Sequence, residues 1–352
     1  MERFVLVIGA GQAGLAAGYH LKNAGAPFTI VDGNRHVGDT WRARYDSLTL
    51  FTPRQFSSLP GLDLPGNREL YASRDEFADY LETYATRLRL PVELGRRVTR
   101  LSKIGDLAFE AEFEDGTRLP ASEVIVATGA FQRALVPGLS TRFGNDVLQL
   151  TTETYRHPGQ LPDGPVLVVG DGASGRDIAV EVRKVQPVIL ATGKPRKLFP
   201  ERVLGKSVWW WLNLLGVLRA AADSRIGRKL KQSDAFPDRK RSLEGMAKRG
   251  IRIVQRLAEA SGTEARFADG TSVNIRTVIW AVGYLDDSSW LDIEGAAAPD
   301  GTFLHKAGIS PVKGIYFVGR PWQRNRASAL IMGAGPDAEI IVQGLLSDRM
   351  ER

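Results

Sequence analysis

The chain has 352 residues, 43% of them apolar and 25% charged, with a formal net charge of +7. That length predicts about two domains with sizeable cores. Cysteine is absent, which excludes disulfides, cysteine-ligated metals, thiol nucleophiles and a redox-active cysteine pair.

An apolar run, Phe4 to Ile8, predicts a buried parallel strand that ends in Gly9-Ala10-Gly11-Gln12-Ala13-Gly14. Gly9 permits a tight turn, Gly11 lets the backbone approach a pyrophosphate, and Gly14 lets the next helix pack on the strand. That helix, through about Ala24, presents its N-terminal N–H groups to phosphates. Phe28 to Val31 predicts a second strand, with Asp32 at its end, eighteen residues after Gly14. A carboxylate there accepts hydrogen bonds from ribose hydroxyls. The early strand and Gly9 interrupt any apolar leader, so no signal peptide is expected and the expected location is cytoplasmic.

Farther along, Asp115-Gly116-Thr117 predicts a hairpin turn, followed by an apolar strand ending in Ala127-Thr128-Gly129. The plan then repeats. Val166 to Val169 is a strand, Gly170-Asp171-Gly172-Ala173-Ser174-Gly175 a second glycine loop, and about Ala173 to Lys184 a helix. Val188 to Ala191 is the next strand, Asp269-Gly270-Thr271 the hairpin, and Ala281-Val282-Gly283 the strand end. Gly116 to Gly129 and Gly270 to Gly283 are both thirteen residues. The fold class is therefore α/β, with two Rossmann-like dinucleotide-binding domains, the second inserted into the first. After Gly283 a strand from Gly314 to Val318, ending in Gly319, and a helix from about Pro336 return to the first domain. The division expected is 1–155 and 284–352 for the first domain and 156–283 for the second.

The two loops differ in one acid. Eighteen residues after Gly175 stands Gly193, followed by Lys194, Arg196 and Lys197. An acid there would repel a 2′-phosphate, whereas Lys194 and Arg196 suit one, so this pocket is expected to take NADPH. Between the loops and the C-terminus, Val208 to Leu218 carries Trp209, Trp210 and Trp211 and is too short to span a bilayer. The tryptophans are expected to divide between a core, a domain interface and a substrate entrance, with membrane-surface contact the lesser reading. The basic residues from Arg225 to Arg241 read as a solvated surface facing anionic cofactors. No nucleic-acid motif accompanies them, and the four histidines show no metal spacing.

With Gly38-Asp39-Thr40-Trp41, Tyr45 to Leu48, Phe51-Thr52-Pro53, Trp280 to Tyr284 and Gly314 to Gly319, these motifs resemble the two-dinucleotide-binding-domain flavoproteins. Within them the chain is most similar to the class B flavin-dependent monooxygenases, in the indole-pyruvate-monooxygenase-like branch. The resemblance spans nearly the whole chain. It implies FAD on Gly9, Gly11, Gln12, Ala13, Gly14 and Asp32, with Asp39, Thr40, Trp41, Thr128, Gly129 and Gly319 along the flavin. It implies NADPH on Gly170, Gly172, Ala173, Ser174, Gly175 and Gly283. The implied reaction reduces FAD with NADPH and forms a C4a-(hydro)peroxyflavin with O2. One oxygen then passes to a small nitrogen, sulfur or 2-oxo-acid substrate. Such chemistry needs a dry pocket and few acids or bases. Thr52, Gln55, Trp322 and Gln323 are the candidate pocket residues on the flavin side. The family's histidine-serine pair is replaced by Thr151-Thr152, and a Baeyer–Villiger fingerprint is missing. Two other readings stay open: an NADPH-dependent flavin reductase or oxidase without oxygen insertion, and a non-catalytic dinucleotide-binding redox sensor.

Overall fold

The computed structural model describes residues 4–105, 108–233 and 236–350. In chain order the elements that position the site begin with β1 (Val5–Ile8), α1 (Gln12–Asn23), β2 (Phe28–Asp32), α2 (Arg74–Arg87) and β3 (Val92–Leu94). Next come β4 (Val98–Gly105), β5 (Ala108–Phe113), β6 (Arg118–Ala121), β7 (Glu123–Val126) and β8 (Leu148–Thr151). The second unit carries β9 (Val166–Val169), α3 (Ala173–Val182), β10 (Val188–Ala191), α4 (Val208–Leu214), α5 (Arg225–Ser233) and β11 (Arg252–Val254). It continues with β12 (Leu257–Ser261), β13 (Glu264–Phe267), β14 (Ser272–Asn274) and β15 (Thr277–Trp280). The chain closes with β16 (Leu291–Asp292), β17 (Ile315–Phe317) and α6 (Ile331–Met350).

Two five-stranded parallel sheets organise the molecule. The first is ordered β17-β7-β1-β2-β3 and the second β8-β15-β9-β10-β11. Each strand of one sheet has a counterpart at the same place in the other, so the duplication in sequence is a duplication in architecture. The central strands β1, β7, β9 and β15 are buried along their whole length. Parallel sheets covered on both faces demand such unbroken apolar runs.

Both glycine loops are tight for the same reason. Gly9 and Gly170 have φ of 108° and 104°, a region that side chains strain to enter. A Cβ on Gly14 would collide with the Gly9 carbonyl, and one on Gly175 with the Gly170 carbonyl. The two Asp-Gly-Thr turns also superimpose in chemistry. Asp115 accepts from the Thr117 backbone N–H at 2.9 Å, and Asp269 from that of Thr271 at 3.0 Å. A third copy, in which Asp300 accepts from the Thr302 N–H at 3.0 Å, lies in the C-terminal return.

The division between units differs from the sequence expectation. Strand β8, assigned above to the first domain, pairs with β15 in the second sheet. Phe143 and Val147 pack beside Trp280 and Phe267 in the second core, and Gly144 N–H donates to the Gly262 carbonyl at 2.8 Å. The second body therefore starts well before residue 156, because apolar residues ahead of β8 bury against strands more than a hundred positions later. Tyr45 and Leu48 of the first unit also pack into the second unit's other core. Helix α6 starts at Ile331, five residues ahead of Pro336, and buries Ala334, Ala338, Ile341 and Val342 in the core shared with α1.

Between β10 and β11 an inserted segment folds over the cleft. Trp209 of α4 is buried there, its Nε1–H donating to the Phe51 carbonyl at 2.8 Å, and it meets Phe199 edge-on at 5.8 Å. Trp210 and Trp211 form an edge-to-face pair at 4.8 Å, and Trp211 donates to the Val203 carbonyl at 2.9 Å. One tryptophan thus ties the insertion to the loop that carries Phe51, and the other two lie half-buried beside the Arg202–Ser207 hairpin. Among the described residues, no helix is long and apolar enough to cross a membrane.

Candidate functional site

A cavity of about 820 Å³ runs between the two bodies and is reached by both glycine loops. At its first end lie Gly9, Gly11, Gln12, Ala13 and Asp32. The loop's N–H groups head α1, and no atom lies within 4 Å of where a Gly11 Cβ would sit. That open cradle at a helix N-terminus fits a pyrophosphate. Asp32 accepts from Ala10 N–H at 2.7 Å through one oxygen and from Asn34 N–H at 2.8 Å through the other. Its carboxylate is thereby oriented, with lone pairs left for ribose hydroxyls. Gly14 lies beneath the loop and sets its packing.

Farther in, Thr40, Trp41, Thr128, Gly129 and Gly319 also line the cavity. Trp41 donates from Nε1 to Gln12 at 3.2 Å and stands edge-on to Phe77 at 4.9 Å, which couples the Trp41 ring to the phosphate loop. Gln132 bridges Thr128 Oγ1 at 2.6 Å and the Gly129 carbonyl at 2.8 Å and accepts from Asp287 N–H at 2.6 Å. This fixes the crossing between bodies.

Asp39 does not line the cavity. It accepts from His36 N–H at 2.9 Å and pairs with Arg42, so it shapes the turn that delivers Thr40 and Trp41. Among the four candidate pocket residues, Thr52 and Trp322 line the cavity. Thr52 shares a hydrogen bond of 2.8 Å with Ser57. Gln55 is turned aside and donates to Glu69 at 2.7 Å. Gln323 is buried and accepts from Arg320 N–H at 3.2 Å, away from the cavity. Gln55 is thus held by a carboxylate, and the Gln323 side-chain oxygen by a backbone N–H.

At the second end, Ala173 and Ser174 line the cavity at the N-terminus of α3, while Gly170 and Gly175 lie under the loop. Gly172, Gly283, Lys194 and Arg196 lie outside the enclosed space. Positions 172 and 193 are open, with nothing within 4 Å of an added Cβ. Asp171, buried within the loop, accepts from Gly193 N–H at 3.1 Å and from Arg176 at 2.9 Å, and Arg196 approaches it at 3.8 Å.

Sequence reasoning missed several lining residues. Thr152 shares a hydrogen bond of 2.7 Å with the Tyr284 hydroxyl, to which Arg44 donates at 2.6 Å; the Arg44 guanidinium also stacks on Phe131 at 5.7 Å. Thr151, by contrast, closes a turn through Glu153 N–H and Thr154. The hydroxyl of the replaced pair that reaches the cavity is therefore that of Thr152. Arg239 and Arg241, read above as part of a solvated surface facing anionic cofactors, line the cavity as a basic wall. Arg239 donates to Thr49 Oγ1 at 2.7 Å, and Arg241 pairs with buried Asp177 at 2.6 Å. Burial pushes the Asp177 carboxyl up, opposed by the Arg241 and Arg239 charges. Burial likewise pushes the Tyr45 hydroxyl, which donates to Asp177 at 3.2 Å, well above its ordinary value. The useful signal would have been the chain distance: a basic run that shares a fold unit with a phosphate loop can turn inward.

Two duplicated nucleotide-binding bodies facing one cavity define a two-dinucleotide-binding-domain flavoprotein. The model of the family described as pyridine nucleotide-disulphide oxidoreductase matches residues 6–197. The chain belongs to that family and, within it, to the class B flavin monooxygenase type, an enzyme class of oxidoreductases. It is 43% identical to an uncharacterized oxidoreductase CzcO-like of Geobacillus kaustophilus, over 97% of this chain and 98% of that one. It is 28% identical to indole-3-pyruvate monooxygenase YUCCA8 of Oryza sativa subsp. indica, over 95% and 88%. A solved flavin-containing monooxygenase from Stenotrophomonas maltophilia aligns with a TM-score of 0.82 at 28% identity, covering 98% of this chain and 99% of that one.

Proposed function

We propose that the chain is an FAD- and NADPH-dependent monooxygenase. In this reading it inserts one oxygen of O2 into a small nucleophilic nitrogen or sulfur compound, or a 2-oxo acid. FAD occupies the first body, on Gly9, Gly11, Gln12, Ala13, Gly14 and Asp32. NADPH occupies the second, on Gly170, Gly172, Ala173, Ser174 and Gly175, with Lys194 and Arg196 at the 2′-phosphate and Gly283 at the strand end. Bound flavin would supply hydride acceptance and dioxygen activation. The observation that carries the reading is the placement of both glycine loops on one cavity, with an acid free for ribose only at Asp32.

The chain's own residues then have defined tasks. Asp32 orients the adenosine ribose, and the N–H groups ahead of α1 and α3 hold pyrophosphates. Gln12, Trp41, Thr128, Gly129 and Gly319 shape the flavin's bed. Thr52 and Trp322 face the reacting region, where Trp322, Phe51 and the Trp209 cluster exclude water. The Arg44–Tyr284–Thr152 chain holds the crossover between bodies. Gln55 and Gln323 act only in supporting these walls.

The test is a balance of NADPH oxidised, O2 taken up and hydrogen peroxide released, run with panels of amines, thioethers and 2-oxo acids. A substrate that lowers the peroxide released per NADPH supports oxygen insertion. Peroxide equal to NADPH with every panel member would favour the reductase or oxidase reading.

A further inference from the structure

Three arginines stand in the loop that follows β17, and two of them are paired. Arg320 binds Asp286 and the Gly129 carbonyl, and Arg324 binds Asp337 and the Pro336 carbonyl, each at 3.1 Å. Arg326 is different. It is half-buried and lines the cavity, yet among the described residues it meets no carboxylate and donates no side-chain hydrogen bond. Its guanidinium lies 5.8 Å from the centroid of the Trp322 ring. Removing a cation from water without an anion or full hydrogen bonding is expensive.

The backbone around Arg326 is built to hold it there. Trp322 adopts φ of 58°, a left-handed conformation that bulky residues rarely take and that persists where the surroundings enforce it. Asn325 accepts from Ser328 N–H at 3.2 Å, and Ser328 Oγ accepts from Asn325 and Arg324 N–H at 3.3 and 3.1 Å. The side chain therefore projects from a cross-braced loop. Next to it, Phe51 and Leu330 form an apolar wall of the cavity, backed by Ala327, Trp209 and Leu218. Burial alone holds the guanidinium below its ordinary value, with no opposing carboxylate charge.

Arg326 belongs to neither glycine loop; those carry Gly11–Ala13 and Ala173–Ser174. We infer that Arg326, braced against Trp322, is the anchor for the anionic group of the substrate, which is a small monocarboxylate with an apolar body. The carboxylate meets the fork of N–H donors, and the body lies on the apolar wall. This inference rests on the proposed flavin-containing cavity and narrows its substrate class to acids.

The experiment uses purified FAD-loaded enzyme. Phenylacetate, indole-3-acetate and octanoate are each titrated against their primary amides, with binding read from the visible flavin spectrum. NADP+ affinity is measured in parallel. At least one acid is expected to bind about tenfold or more tightly than its amide, as a charge-assisted bond requires. Arg326→Gln is expected to abolish that preference while leaving NADP+ affinity within about twofold, and Arg326→Lys to recover part of it. The inference is overturned if wild-type enzyme prefers no acid, if the preference survives Arg326→Gln, or if that variant weakens NADP+ as much as the acid. Should Arg326→Gln fail to fold, the wild-type preference and the Arg326→Lys titration decide. Protein that never retains FAD would instead refute the parent reading, a result visible before any titration.

Discussion

Asp171 accepts the Gly193 backbone N–H at 3.1 Å, and this is the Asp32–Ala10 bond with its ends exchanged. In the first body the acid ends the second strand and the loop donates, at 2.7 Å. In the second body the loop carries the acid and the strand end donates. Each arrangement ties phosphate loop to neighbouring strand, but they leave different surfaces for a nucleotide. Asp32 keeps acceptor capacity toward a ribose. Asp171 is enclosed, paired with Arg176 at 2.9 Å and approached by Arg196 at 3.8 Å. Its charge is compensated, so it presents little repulsion to a 2′-phosphate.

The proposed preference for NADPH rests on that exchange. Replacing Lys194 and Arg196 together by alanine is expected to weaken NADPH by about tenfold or more while changing NADH little. Titration of both nucleotides by flavin reduction rate checks this. Equal losses for the two would place the 2′-phosphate elsewhere.

The Asp171–Arg176 pair makes a stability prediction. Both side chains are almost fully buried, so Asp171→Ala strands a buried guanidinium and should cost about 3–5 kcal/mol. Adding Arg176→Met should restore most of the loss, because no unpaired charge then remains. Urea unfolding of wild type, single and double variants measures it. Asp32→Ala, by contrast, should act mainly on FAD retention.

Much of this was legible in sequence because it is local. Both loops, both second strands and both Asp-Gly-Thr turns are short patterns whose geometry is set within about thirty residues. What escaped was set by distant contacts. Strand β8 joins the second sheet through β15, far along the chain. Gln55 looks available as a loop polar but is held by Glu69, and Gln323 is buried with its side-chain oxygen on the Arg320 backbone N–H. Which surface Arg239, Arg241 and Arg326 line is likewise set at a distance, by the insertion and the β17 loop that turn them toward the cavity.

The Tyr284 hydroxyl joins Arg44 to Thr152, residues from opposite sides of the crossover. Tyr284→Phe removes that hub while keeping the ring against Phe131. Expected is a fall of about three- to tenfold in flavin reduction by NADPH, with FAD content unchanged. Stopped-flow reduction under anaerobic conditions reads it, and an unchanged rate would leave the hydroxyl a packing feature.

Burial, then the Arg320 charge, hold the His305 imidazole below the ordinary value of 6.5, with Asp286 opposing; burial does the same at His20. The unfolded chain therefore binds protons below 6.5 that the folded chain resists. Stability from these groups is complete above that value and is lost as the pH falls below it, until the lower folded pKa is reached. Urea midpoints should fall between about pH 7 and pH 5. His305→Gln, which keeps an acceptor for the Gly308 N–H, should flatten part of the slope.

The most direct measurement of the central claim is the reaction of pre-reduced holoenzyme with oxygenated buffer, with and without NADP+, followed in the stopped flow. The account predicts a transient in the near ultraviolet that decays slowly and is prolonged by NADP+, since the second body would cover the first across the shared cavity. Immediate single-step reoxidation, with one hydrogen peroxide released per flavin and no effect of NADP+, would contradict it.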